Sequence, residues 1–271
     1  MRIFRSGAAS VAVLVLAACG SGHSGSGDRR AAVNEYFARL NVAQATLTNE
    51  SSTINAAFRS FSTSDNRPAE VRALRHAEHE LLLARRSVIR IKPPAEARRL
   101  HADLVRLLGV EASLAGELLS TARYAPQLKQ ALRPLRPAGA RFSRDLRRAK
   151  HWREQAAAFE RYRSSLAAVS AALERLHAPP ILRPSLVGER TILRRSVGLC
   201  ASAAEALKRH DAHTAALRVR TLSGLALGST AVRARRDQIV AARAYNRRIA
   251  VVSALAAKIA RERERLARTL R

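Results

Sequence analysis

From about residue 30 onward the apolar residues return at alternating steps of three and four almost everywhere. That is the period of an α-helix, and no strand is needed to place them. A first segment, about 28–61, carries Val33, Tyr36, Leu40, Ala43, Leu47, Ile54 and Phe61 on one side, with Asp28 positioned as an N-cap and Asn34, Asn41 and Thr48 opposite. A polar break with Pro68 precedes a second helix, whose Leu74, Ala77, Leu81, Ala84, Val88 and Ile91 form a heptad seam. Pro93 and Pro94 end it and start a third, because proline lacks a backbone donor and suits only a first turn. The stripe of the third is Leu100, Leu104, Leu107, Leu114 and Leu118.

A proline-punctuated connection with at most a short helical turn is expected over 124–139, then one long fourth helix over about 140–177. Phe142, Leu146, Ala149, Ala156, Phe159, Leu166, Val169, Leu173 and Leu176 would be its inward side. Pro179 and Pro180 repeat the earlier punctuation before a fifth helix (about 184–210) bearing Leu186, Leu193, Val197, Cys200, Ala204 and Leu207. A displacement of 86 residues superposes Pro93 on Pro179, Pro94 on Pro180, Leu100 on Leu186 and Leu107 on Leu193, as two related helix, Pro-Pro, helix hairpins would. A short sixth helix (211–227) and a last one from about 230 to the C-terminus complete the pattern. Long helices with short connections pack as antiparallel neighbours. The expected fold is therefore all-α, an elongated antiparallel bundle of about six or seven helices over 28–271, with any internal boundary in 124–139.

The residues before the bundle read as an address. Arg2 and Arg5 precede an apolar run from Ala8 to Leu16, and Leu16, Ala17, Ala18 and Cys19 lead into a Gly/Ser tract. The uncharged stretch 6–18 falls short of the roughly 20 residues that span a bilayer as a helix, and the order fits a cleaved signal. The quartet resembles the lipobox of bacterial lipoproteins. That resemblance implies that residues 1–18 are removed, that the Cys19 thiol carries a diacylglycerol, and that 19–27 form a flexible spacer. Two acyl chains anchor stably where one holds only marginally. The implied location is the extracytoplasmic face of a cell membrane, and the membrane is the first partner. Gly20 gives no cue that selects between inner and outer membranes.

Charge changes the picture next. The formal net charge is +28, with 44 arginines against 5 lysines, and only Arg2 and Arg5 would leave with the signal. Such a field attracts anionic lipid head groups, phosphate-bearing envelope polymers or nucleic acid, and beyond the membrane the expected partner is an anionic envelope polymer or a protein. Arginines spread as solvated helix faces are the plainer reading. Nothing resembles a groove-reading module, so nucleic acid is not the expected partner. With Cys19 acylated, Cys200 has no disulfide partner, and on its apolar stripe it behaves as a small hydrophobe.

Candidate chemistry is sparse. The densest basic stretch runs from Arg133 to Arg153 with Asp145 as its one acid. Within it Arg141, Arg144 and Arg148 share a helix side beside Trp152, whose indole Arg148 could stack on. These four are the candidate anion-contacting residues. Glu111 continues a leucine stripe and Arg190 lies in one between Leu186 and Leu193, so the two form a candidate core ion pair that fixes register. The alternative is that either reaches water along its stem. His76 with His79, and His210 with His213, have chelating spacing, but solvated faces suit them as well, and no metal or other cofactor is called for. No nucleophile, base and orienting group can be assembled, so the expected function is non-catalytic binding or scaffolding. A bundle that senses or carries a metal or small ligand between its helices is the second reading.

Overall fold

The computed structural model describes residues 27–60, 67–225 and 229–269, so Cys19 and the rest of the expected export signal lie outside the described residues. Within them the chain is an all-α helical bundle. Its helices are α1 (Gly27–Ser60), α2 (Arg67–Ile89), α3 (Arg98–Leu132), α4 (Leu135–Arg148), α5 (Trp152–Glu174), α6 (Arg183–Lys208), α7 (Ala212–Gly224) and α8 (Ser229–Thr269), with a 3-10 turn at Ala95–Ala97. No described helix is long and apolar enough to cross a membrane. Two compact units divide the fold: the described residues up to Ala122 together with those from Arg243 on, and Arg123–Ala242. Both divisions fall inside helices, α3 and α8.

In the first unit the seams are the buried positions. Tyr36 and Leu40 of α1, Leu74, Leu81 and Val88 of α2, Leu100 and Leu114 of α3, and Ile259 and Leu266 of α8 are essentially without exposure. Each such side chain contributes about 1.5–3 kcal/mol on leaving water. The helices α2 and α3 run antiparallel, Arg85 facing Gly109 and Glu78 facing Gly116. Two ion pairs tie α8 back to α3: Lys258 Nζ donates to Asp103 Oδ1 at 3.0 Å, and the Arg248 guanidinium forks onto both oxygens of Glu117.

The second unit corrects the expected punctuation. No loop opens at Tyr124, because α3 runs on through Pro126 to Leu132. A proline inside a helix costs about 3 kcal/mol. Buried Tyr124 and the packing of Leu128 and Leu132 on the unit's core offset that. The single helix expected over 140–177 is two. Its break comes from Glu154, whose carboxylate accepts the backbone N–H of Lys150 at 2.7 Å and of His151 at 3.4 Å, drawing its pKa below the usual carboxylate range. These are the orphan donors a helix start leaves open, so α5 begins at Trp152 and Ala149 turns extended. Then α4 folds back on α5: Phe142 stacks on Tyr162 with ring centroids 4.4 Å apart and meets Phe159 edge-on at 4.9 Å.

The α5–α6 hairpin is also antiparallel, with Lys208 paired to Glu160 at one end and Arg194 to Glu174 at the other. The 86-residue displacement carries α2 onto 153–175 and the start of α3 onto 184, one residue from the observed bounds of α5 and α6. Gly188 lets the start of α8 come close, since a Cβ there would sit 2.3 Å from that of Ala234. Gln238 pins the Pro-Pro connection by donating Nε2 to the Ile181 carbonyl at 2.7 Å.

Candidate functional site

The basic stretch singled out from the sequence becomes α4, a helix with two unlike sides. Leu135, Phe142 and Leu146 pack on the core of the second unit. Arg136, Arg141, Arg144, Arg147 and Arg148 are all exposed, and at 100° per residue they share the opposite half with only Pro137, Ala140 and Ser143. Asp145 is turned inward and consumed: Arg161 of α5 donates to its Oδ2 through Nε at 3.2 Å and Nη2 at 2.9 Å. None of the five outward arginines has an ion pair among the described residues. The helix is about 21 Å long at 1.5 Å per residue, so the five charges lie within a few screening lengths of one another.

That concentration has a cost. Arg141 with Arg144, Arg144 with Arg147 and Arg144 with Arg148 are like-charge neighbours at helical spacing, each destabilising by roughly 0.2–0.5 kcal/mol. Only the position of Arg147 and Arg148 in the last turn returns part of this, through the helix dipole. A helix shaped for solubility alone would interleave acids. Arg136 and Arg147 belong to the face as fully as Arg141, Arg144 and Arg148; the same 100° projection reaches Arg147 within the expected helix, and Arg136 only because α4 starts at Leu135.

Trp152 takes a different neighbour from the one expected. Because the chain breaks after Arg148, the indole lies on α5, and it is Arg153 whose Cζ sits over it, 5.0 Å from the ring centroid. The His210 ring meets it edge-on at 4.1 Å. His210 adopts φ 62° just past α6, where its N–H reaches the Leu207 carbonyl and that of Asp211 the Ala206 carbonyl, a Schellman closure with histidine where glycine is usual. Asp211 then caps α7 by accepting from Thr214 N at 2.9 Å. A corner therefore separates His210 from His213, and the two do not share a helix face. His76 and His79 are both exposed on α2, His76 lying 4.0 Å from a Glu80 carboxylate oxygen. Among the described residues no three His, Cys, Asp or Glu side chains gather around a point.

No family profile, curated protein or solved structure matches the chain.

The polar core candidates also find separate roles. Glu111 is buried on α3, in the first unit. The expected pairing with Arg190 is not how that arginine is used. Its Nε and Nη2 donate to the Leu173 carbonyl at 3.1 and 2.8 Å, and Nη2 also reaches the carbonyls of Glu174 and Leu176. These carbonyls stand at and just past the C-terminus of α5, the negative end of the helix dipole, and they draw a cation. Cys200 is fully buried, and burial pushes its thiol up to about 11, which keeps it protonated and unreactive.

Proposed function

We propose that this chain is a lipid-anchored, extracytoplasmic, non-catalytic binding protein of a bacterial cell envelope, which engages phosphate-bearing lipid or polymer through the outer face of α4. One observation carries the reading: five arginines share one exposed helix face whose single acid is turned away and neutralised by Arg161. Guanidinium groups suit this work because each is permanently charged and offers a planar fork to phosphate oxygens. The anchor would hold that face near its target, which raises the effective concentration without any added contact.

The test has two arms. Mass spectrometry of the N-terminus from native cells should find an acylated Cys19; an unprocessed start refutes the anchor. Sedimentation with vesicles containing phosphatidylglycerol should show binding that collapses between 50 and 500 mM salt and falls several-fold in R141Q/R144Q/R148Q. Binding that resists salt and survives the triple substitution removes the electrostatic reading.

A further inference from the structure

The first unit contains an open groove of about 610 Å³ between α2 and α3, which Arg248 also borders. Leu82, Val105 and Val110 give it apolar walls. Its polar groups are unevenly placed. At one end Arg85 lies over Gly109, where a Cβ would come within 3.2 Å of its Nε, and Arg106 stands one turn before that glycine. At the other, the Glu78 carboxylate covers Gly116, seven residues and about 10 Å further along α3. Gly109 and Gly116 are the two places where α3 lacks a side chain to meet α2, and charged groups of α2 occupy both.

The guanidiniums differ in how far they are already engaged. Arg248 is held by Glu117 and has no fork to spare. Arg106 is exposed with no ion pair among the described residues, and the Nε of Arg85 is buried without a hydrogen-bond acceptor among them. A buried donor left unmade costs about 1–3 kcal/mol, more for a charged group. Packing Nε against α3 fixes the Arg85 guanidinium in place, and it stands with Arg106 beside an open, apolar-walled groove.

We infer that the groove binds an amphiphile, its carboxylate or phosphate head on Arg85 and Arg106 and its apolar body along Leu82 and Val110. The head fits because Arg85 and Arg106 both line the groove and neither guanidinium has an ion pair among the described residues. The body fits because the wall beyond the arginines is aliphatic. Glu78 at the far end disfavours a second anionic group, which selects a single-headed ligand over a polyanionic chain. This site is independent of the α4 face: it lies in the other unit and uses none of the same residues.

Displacement of fluorescent dansylundecanoate tests it. The full chain carrying Cys19→Ser is used, so that no acyl chain of its own competes, and competitors are kept below their micellar concentrations. Laurate and dodecyl phosphate should both displace the probe; methyl laurate and inorganic phosphate should not. Arg85→Gln and Arg106→Gln should each weaken binding about tenfold. Gly109→Leu, which fills the groove and improves helix propensity, should abolish binding while far-ultraviolet circular dichroism stays unchanged. R141Q/R144Q/R148Q should bind as the parent does.

Equal displacement by methyl laurate would show that no anion is recognised, and displacement by inorganic phosphate alone that the apolar wall plays no part. Either result overturns the proposal, as does unchanged affinity in both Arg85→Gln and Arg106→Gln. Loss of vesicle binding in the α4 triple variant with retained probe binding separates this site from the proposed surface function, and the reverse pattern separates them as well.

Discussion

Removing the Arg190 guanidinium should uncap α5 and loosen the second unit. In Arg190→Met the aliphatic stem is kept and the hydrogen bonds to the carbonyls of Leu173, Glu174 and Leu176 are lost. Hydrogen bonds from a charged donor contribute roughly 1.5–3 kcal/mol each. One donor group is shared among several acceptors here, and the exposed end of α5 can recapture water, so the loss should be about 2–4 kcal/mol rather than the full sum. The accompanying ion pair to Glu174, at 3.6 Å with the acid 42% exposed, is worth at most about 1 kcal/mol. Urea unfolding followed by the fluorescence of Trp152, the single tryptophan, reports the unit that contains Arg190. The midpoint should fall markedly in Arg190→Met and little in Glu174→Gln. A loss under about 0.5 kcal/mol in Arg190→Met, or one that Glu174→Gln reproduces in full, would falsify the capping role.

Gly188→Ala should destabilise the second unit by about 1–3 kcal/mol despite the better helix former, because its Cβ would stand 2.3 Å from that of Ala234; Gly188→Ala with Ala234→Gly should recover most of the loss in the same urea assay, and no recovery would place the strain elsewhere. Phe142→Ala should cost about 2–3 kcal/mol and speed amide exchange throughout α4, since the rings of Tyr162 and Phe159 hold that helix down; α4 protection equal to that of the parent would contradict this. Burial lowers the pKa of His101, whose Nδ1 lies 3.2 Å from the Tyr36 hydroxyl. The unfolded chain then binds more protons, so the stability this histidine contributes is present above its ordinary value of 6.5 and declines as the pH falls below it. The difference in Tm between parent and His101→Gln should shift over that interval, and parallel profiles would dismiss the coupling.

What the sequence made legible was what depends on near neighbours. The seams of α2 and α3 follow from a helical period written in leucine, and three members of the α4 arginine face, Arg141, Arg144 and Arg148, from one projection, whereas Arg136 lies in the stretch expected as a connection. The stretch from Tyr124 to His151 departs from its sequence pattern because two opposing effects meet there. Proline argued for a loop at 126 and lost to the burial of Tyr124, whereas the modest signal of Glu154, three residues past a would-be cap, ended a helix that its apolar period would have continued. Arg190 could not be placed, since its acceptors lie 14 to 17 residues away across a hairpin. Gly109 and Gly188 carried no sign of their partners: a glycine in a helical pattern does not announce whether it faces solvent, an arginine or another helix.

Once Cys19 is replaced, Cys200 is the one thiol in the chain, and it lies sealed in the core of the second unit. Its rate of modification by Ellman's reagent then measures how often that region opens, a built-in stopwatch that needs no introduced label. The same seclusion keeps the thiol from cross-linking the folded chain to its neighbours.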